Sequence, residues 1–116
     1  MAIELSWPPK ELSPNARVHW AKKAKAAKAY RLECFLIAKA AGIKAPEGKI
    51  LWTVEFFPPS RRAYDDDNLL ARMKSARDGI ADALGVDDRR FVTQLSVSDK
   101  VIKGGLVRVT IVGLSA

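Results

Sequence analysis

The sequence of 116 residues has a single cysteine, Cys34, and no long apolar run. One cysteine excludes an intrachain disulfide and any metal site built from several cysteines. A membrane-spanning helix needs ~20 apolar residues, which no segment supplies. The N-terminal MAIELSWPPKELS also lacks the basic and apolar regions of a signal peptide. These absences predict a cytoplasmic protein with no membrane partner, in keeping with a reducing compartment.

Aspartate is missing from the first half of the chain. Residues 1–62 contain 12 Lys and Arg against 5 Glu, which accounts for the whole net charge of +7. Residues 63–116 contain 8 basic residues against 8 aspartates. Such a distribution is typical of a surface that holds a polyanion beside a cation site. The alternative is an ordinary charge that keeps the protein soluble.

The hydrophobic pattern predicts one domain, residues 1–116, with the order β-α-β-α-β-β. We predict strands at 3–7, 49–57, 91–98 and 105–114 from alternating or β-branched runs, with the last two joined by a hairpin. Helices are predicted over 17–41 and 66–84, the second ended by Gly85. Each has an apolar stripe at helical spacing: Tyr30, Cys34, Ile37 and Ala41 in the first, and Leu69, Met73, Ala76, Ile80 and Leu84 in the second. The fold class is therefore α+β, a two-layer domain in which two main helices cover a four-stranded mixed sheet.

Three consecutive aspartates open the second predicted helix. One aspartate is explained as an N-cap, which we assign to Asp66, but three adjacent carboxylates repel one another. Asp65 and Asp67 point the same way if the backbone is extended, and their hard oxygens suit Mg²⁺ or Mn²⁺. We expect Asn68 to hydrogen-bond one of these carboxylates. The neighbouring arginines are an alternative source of compensating charge.

Two further positions allow both a structural and a functional interpretation. Lys74 either pairs with Asp78 one turn later on the helix or provides a cation for a phosphate group. Asp87 and Asp88 either form a turn or supply a third carboxylate to the cluster. A straight helix of ~19 residues is ~28 Å long. Asp88 would then reach the cluster across a two-fold dimer, unless the chain bends back.

Several motifs resemble the RusA family of Holliday-junction resolvases, which are metal-dependent, structure-specific endodeoxyribonucleases. The resemblance covers nearly the whole chain. Its motifs are WPP at 7–9, SPNARVHW at 13–20, DDDNL at 65–69, KSARDGI at 74–80 and VDDRRFV at 86–92. The spacing departs from the family's pattern by about one extra helical turn between Asn68 and Lys74, so Arg72 is an alternative for the family's lysine.

The resemblance implies a catalytic site formed by Asp65, Asp67, Asp88 and Lys74. The three aspartates would bind Mg²⁺, with Mn²⁺ as a substitute, and a metal-activated water would attack the phosphodiester. Lys74 would contact the scissile phosphate. The resemblance further implies a homodimer that resolves four-way junctions by paired nicks, without an organic cofactor, in a bacterial or phage-encoded protein.

The basic first half would supply the contacts to branched DNA. The candidate DNA-binding residues are Asn15, Arg17, Lys22, Lys23, Lys25, Lys28, Arg61 and Arg62. The alternative for the lysines is a solvated helix face. We interpret His19 and Trp20 as packing residues rather than ligands. Other functions compatible with the sequence are a junction-binding protein without cleavage, a metal nuclease for flaps or forks, and a small dimer without a DNA role.

Overall fold

A computed structural model describes residues 2–61 and 64–114. It confirms the predicted class, because a four-stranded mixed sheet is covered by helices in one α+β domain. The strands are β1 (Ala2–Ser6), β2 (Ile50–Phe57), β3 (Phe91–Val97) and β4 (Leu106–Gly113). The helices are α1 (Trp20–Ala40), α2 (Asp66–Arg72) and α3 (Lys74–Leu84), with short 3₁₀ turns at Lys10–Leu12 and Asp88–Arg90.

The strands lie in the order β1-β4-β2-β3. β4 is antiparallel to both of its neighbours, whereas β3 is parallel to β2, with Ile50 opposite Phe91. The predicted hairpin between the last two strands is therefore wrong. β4 lies between β1 and β2 because its apolar residues, Val107, Val109 and Ile111, are buried there. β3 exposes every second side chain and forms one edge of the sheet, and β1 forms the other.

One face of the sheet forms the core. The alternate residues of β2, which are Ile50, Trp52, Val54 and Phe56, are fully buried beneath the helices. This follows from the two-residue period of a strand, which sends alternate side chains to the same face. α1 packs against α3 over this face. The opposite face carries no helix in the described part of the chain, which leaves it open.

α1 begins at Trp20, three residues later than predicted. His19 has an extended backbone (φ −59°, ψ 140°), and its Nδ1 accepts a hydrogen bond from Ala21 N at 3.2 Å, which caps the helix. Arg17 therefore lies in the preceding loop rather than on the helix. Among the described helices, none is both long enough and apolar enough to cross a membrane.

The buried side of α1 follows Tyr30, Cys34 and Ala38, whereas the predicted Ala41 is exposed. The Tyr30 hydroxyl donates to the Ser6 carbonyl at 2.7 Å, which joins the helix to the end of β1. Burial, together with the nearby Glu33 carboxylate, raises the pKa of the Cys34 thiol to about 12. A thiol protonated in this way is inert, as its place in the apolar stripe predicted.

The predicted helix over 66–84 is broken in two. Met73 has φ −90° and ψ 0°, so α2 ends and α3 begins on either side of it. The predicted stripe is nevertheless confirmed as far as Ile80, because Leu69, Met73, Ala76 and Ile80 are all buried, whereas Leu84 is only partly buried. Gly85 ends α3 with φ 69°, the left-handed conformation expected of a terminating glycine.

Candidate metal and nucleic-acid site

Asp65 is the N-cap of α2. Its Oδ1 accepts hydrogen bonds from Asp67 N at 2.9 Å and from Asn68 N at 3.2 Å. The assignment of the cap to Asp66 is therefore wrong, because Asp65 retains an extended backbone (φ −79°, ψ 120°) while Asp66 is already helical. Both capping bonds use a single oxygen, and Oδ2 of Asp65 makes no bond to any residue that the structure describes.

The carboxylates of Asp66 and Asp67 are exposed in the first turn of α2. Among the described residues, neither carboxylate makes a hydrogen bond or an ion pair. The partial positive charge at a helix N-terminus stabilises each nearby carboxylate by ~0.3–1 kcal/mol. This offsets only part of the repulsion between neighbouring aspartates. Three adjacent carboxylates thus form a concentrated negative site that a cation would stabilise.

Asn68 joins the aspartate motif to the SPN motif, 55 residues earlier. Its Nδ2 donates to the Ser13 hydroxyl at 2.9 Å, and that hydroxyl lies 3.2 Å from Asn68 Oδ1. We predicted a bond from Asn68 to a carboxylate, but the side chain binds Ser13 instead. Asn15 N also donates to the Ser13 hydroxyl at 3.3 Å, so the loop is held beside α2.

The WPP motif holds both ends of α2. The Trp7 ring meets Tyr64, the residue before Asp65, edge to face at 5.6 Å. Arg72 at the other end donates from Nη2 to the Pro8 carbonyl at 2.6 Å. Sequence reasoning assigned no role to Trp7, Pro8 or Tyr64 and did not predict this contact of Arg72, although the tryptophan beside two prolines was the signal available. The motif positions the aspartates without contacting them.

The two late aspartates have different roles. Asp87 caps the 3₁₀ turn, accepting from Arg89 N at 2.9 Å, and pairs with the Arg89 guanidinium at 2.9 Å. These hydrogen bonds lower the pKa of Asp87 to about 2. The turn interpretation therefore fits Asp87, and it leaves Asp88 as the member of the pair that can serve a site.

Asp88 lies beside the beginning of α3. Its Oδ2 is 4.0 Å from Arg77 Nε, and Arg77 Nη2 donates to the Asp88 carbonyl at 2.9 Å. Asp88 also lines a cleft of about 190 Å³ with Leu70 and Lys74, next to the break at Met73. The chain thus bends back after α3, so helix length no longer requires Asp88 to act across a dimer.

The described residues contain no group of three Asp, Glu, His or Cys side chains close enough to hold a metal. Asp65, Asp67 and Asp88 are consequently not assembled into one three-ligand site within the chain. The donor set still fits Mg²⁺, which takes oxygen ligands, retains several waters and is often held by one or two carboxylates. Asp65 and Asp67 offer two such carboxylates at the start of one helix.

Lys74 and Arg72 occupy different surroundings. Lys74 is exposed and makes no ion pair with Asp78 in the part of the chain that the structure describes. It lies between the cleft that contains Asp88 and a groove of about 360 Å³ that contains Lys28 and Arg31. Arg72 is 7% exposed and is bound to Pro8. Lys74 is therefore the better placed of the two to meet a ligand.

The candidate DNA-binding residues form two groups. Asn15 and Arg17 lie in the loop beside α2, and Arg61 follows β2. The second group lies on α1, where Lys22, Lys25 and Lys28 are exposed and Lys23 donates to the Ser13 carbonyl at 3.4 Å. Arg62 lies outside the described residues.

Fold and site together define a small α+β protein with an exposed carboxylate cluster at the start of α2, beside the loop at residues 13–18. No protein-family model matches the chain. Over 118 residues it is 48% identical to a protein of Xylella fastidiosa (strain Temecula1 / ATCC 700964), described as "Uncharacterized protein". This alignment covers 98% of the chain and 77% of the relative. The chain therefore belongs to the same family as this Xylella protein.

Proposed function

We propose that the protein is a metal-dependent, structure-specific endodeoxyribonuclease that cuts four-way DNA junctions by paired nicks. The observation that carries the proposal is the pair of exposed carboxylates at Asp66 and Asp67, which lack a protein partner in the described structure. The capping bonds of the neighbouring Asp65 engage only its Oδ1 atom. A protein that only bound DNA would gain nothing from unpaired carboxylates facing phosphates.

Asp65 and Asp67 would hold Mg²⁺, or Mn²⁺ as a substitute. Asp88 does not lie with them in one group within the described chain, so it would have to approach them, from the same subunit or from a second one, to complete the ligand set. The metal would supply an activated water and would neutralise charge that develops on the phosphate and the leaving oxygen. The backbone N–H groups of Asp67 and Asn68 fix the orientation of the Asp65 carboxylate. Arg77 holds the backbone of Asp88 in place through its bond to the Asp88 carbonyl.

The surrounding cations would bind the DNA backbone. Lys74 lies next to Asp88, and Lys28 shares a groove with Lys74, so a phosphate chain can pass along α1 and α3 beside Asp88. Contacts of this kind position the DNA without reading its sequence. Arg31 adds less, because it already pairs with Asp82 at 2.7 Å.

Paired nicks need two sites, which a homodimer provides through its two-fold symmetry. One end of the open face of the sheet offers a small apolar patch for such a dimer, whereas Arg108 pairs with Glu4 and Glu55 elsewhere on that face. Leu51 lies between Val92 and Val112 in the register, and the two valines are 42% and 46% exposed. Light scattering after size exclusion tests this element, and a dimer mass is the expected result.

The deciding experiment measures cleavage of an end-labelled four-way junction with Mg²⁺ or EDTA. Wild type is expected to make symmetric nicks only with Mg²⁺, and Asp67→Asn to bind the junction without cutting it. Glu47→Gln is the matched control, because it makes the same carboxylate-to-amide change in an exposed loop. This control is expected to cut like wild type.

Other outcomes would redirect the proposal. Binding without cleavage by wild type would assign the aspartates to helix capping and make the protein a junction binder. Equal cleavage of flaps or forks would keep the metal site but replace the substrate. Cleavage by Asp67→Asn at the wild-type rate would remove Asp67 from the site.

A further inference from the structure

A cleft of about 420 Å³ opens beside the aspartate cluster, between the loop at residues 13–18 and α2. Its size falls within the range of ~300–1,000 Å³ that small-molecule sites occupy. Its lining includes Lys10, Asn15, Ala16, Arg17, Tyr64 and Asn68. The phosphate contacts proposed along α1 and α3 make no use of this cleft.

The lining of the cleft suits a nucleotide. Lys10 and Arg17 outnumber the single carboxylate of Glu11, so the cleft favours an anion such as a phosphate. The Asn15 carboxamide can both donate and accept, as the edge of a base requires. Tyr64 adds an aromatic side chain, the type of group on which bases stack in single-strand sites.

The cleft lies beside the segment that carries the three aspartates, where the proposed cleavage of DNA would take place. Tyr64 and Asn68 both line it, and they flank the three aspartates directly in the chain. The Ser13–Asn68 hydrogen bond holds the loop against α2, and the Trp7–Tyr64 contact fixes the other wall. A nucleotide in this cleft would therefore lie next to a phosphodiester at the aspartates.

We propose that this cleft takes one unstacked deoxynucleotide adjacent to the bond that is cut; this inference rests on the proposed nuclease function. Removing a base from a duplex costs a few kcal/mol, and less where the base is already unpaired. A branch point supplies such a base more easily than a continuous duplex does. The cleft would thus contribute to the choice of branched DNA over duplex.

The test uses nucleotide binding, which does not depend on cleavage. Deoxynucleoside 5′-monophosphates and inorganic phosphate are titrated separately into metal-free protein, with ¹H–¹⁵N NMR shifts as the readout. The nucleotides are expected to bind more tightly than phosphate and to shift the amides of Asn15, Arg17 and Asn68. Ala16→Phe fills the cleft without changing its charge and is expected to weaken nucleotide binding by about tenfold or more, as for loss of a well-packed pocket.

Ala40→Phe is the matched control, since it adds the same ring at an exposed position at the far end of α1. It should bind nucleotides like wild type. Equal affinity for phosphate and nucleotide, or unchanged nucleotide affinity in a folded Ala16→Phe protein, would overturn the inference. Junction cleavage without nucleotide binding would reject the cleft alone, whereas nucleotide binding without any cleavage would reject the nuclease proposal.

Discussion

Arg72 and Pro8 are joined by a buried hydrogen bond, 2.6 Å long, between residues 64 positions apart. The guanidinium also lies 6.0 Å from the centre of the Trp7 ring. A buried arginine is uncommon unless its charge and its N–H groups are engaged. This contact fixes the end of α2 against the start of the chain, and through α2 it fixes the aspartates.

Arg72→Met should destabilise the protein by ~1–3 kcal/mol, because the buried Pro8 carbonyl loses its donor. The methionine keeps an apolar stem of similar length, so the loss reports mainly on the contacts of the guanidinium, with Pro8 and with the Trp7 ring. Urea denaturation monitored by tryptophan fluorescence measures the free energy of unfolding. Arg89→Met is the control: that side chain is 88% exposed in its ion pair, so the change should leave the free energy of unfolding almost unaltered. Equal losses in the two variants would contradict the role of Arg72.

Gly79→Ala should lower stability by ~1–3 kcal/mol through overpacking. A Cβ at this position would clash with the Arg31 carbonyl oxygen, where α1 and α3 approach most closely. In a helix with free space the same change would instead stabilise by ~0.5–1 kcal/mol, since alanine loses less conformational entropy. The sign of the change in thermal or urea unfolding therefore decides whether the two helices are in close contact.

Mixed dimers carrying Asp67→Asn in one chain and Asp88→Asn in the other distinguish two site arrangements. If each site takes both aspartates from one chain, neither site is intact and cleavage is abolished. If the site is shared across the dimer, one site remains intact and the other is doubly impaired, so single nicks persist. Denaturing gels of a junction labelled on two strands measure the nicks. Each homodimeric variant serves as the inactive reference.

The Asp87 carboxyl should titrate at a pKa of about 2, below its ordinary value of 3.8, because Arg89 binds the charged form. Since the folded-state pKa is lowered, the resulting stabilisation is complete above pH 3.8 and is lost as the pH falls through about 2. Carboxyl ¹³C NMR measures the titration directly. Arg89→Ala should move the midpoint up towards 3.8, and an unmoved midpoint would exclude Arg89 as the cause.

The sequence predicted the order of the elements well, because periodicity reports directly on burial. The four strands and the stripe from Leu69 to Ile80 follow from spacing alone. The spacing did not predict the strand order, because that order depends on which strands pair on both sides and which lie at the edges. β4 lies between β1 and β2, where Val107, Val109 and Ile111 are buried. The predicted hairpin would instead have placed β4 beside β3.

The candidate site was predicted in its residue types but not in its local geometry. No rule of spacing separates Asp65 from Asp66 as the cap, because either can precede a helical turn; the extended backbone at Asp65 decides it. Likewise, the break at Met73 interrupts a continuous apolar stripe, and the stripe alone predicts one helix. The Ser13–Asn68 and Pro8–Arg72 contacts join distant segments, which a single sequence does not relate.

The pairing of β1 with β4 places Ala2 opposite Thr110, so the first strand finds its neighbour only after residue 110 has been made. During synthesis, α1 and α2 leave the ribosome well before β4 does. Trp7 and Pro8, which follow β1, can lock α2 in place only once β1 has docked. The aspartates therefore reach their final arrangement late, and a growing chain carries them without the support that the finished protein provides.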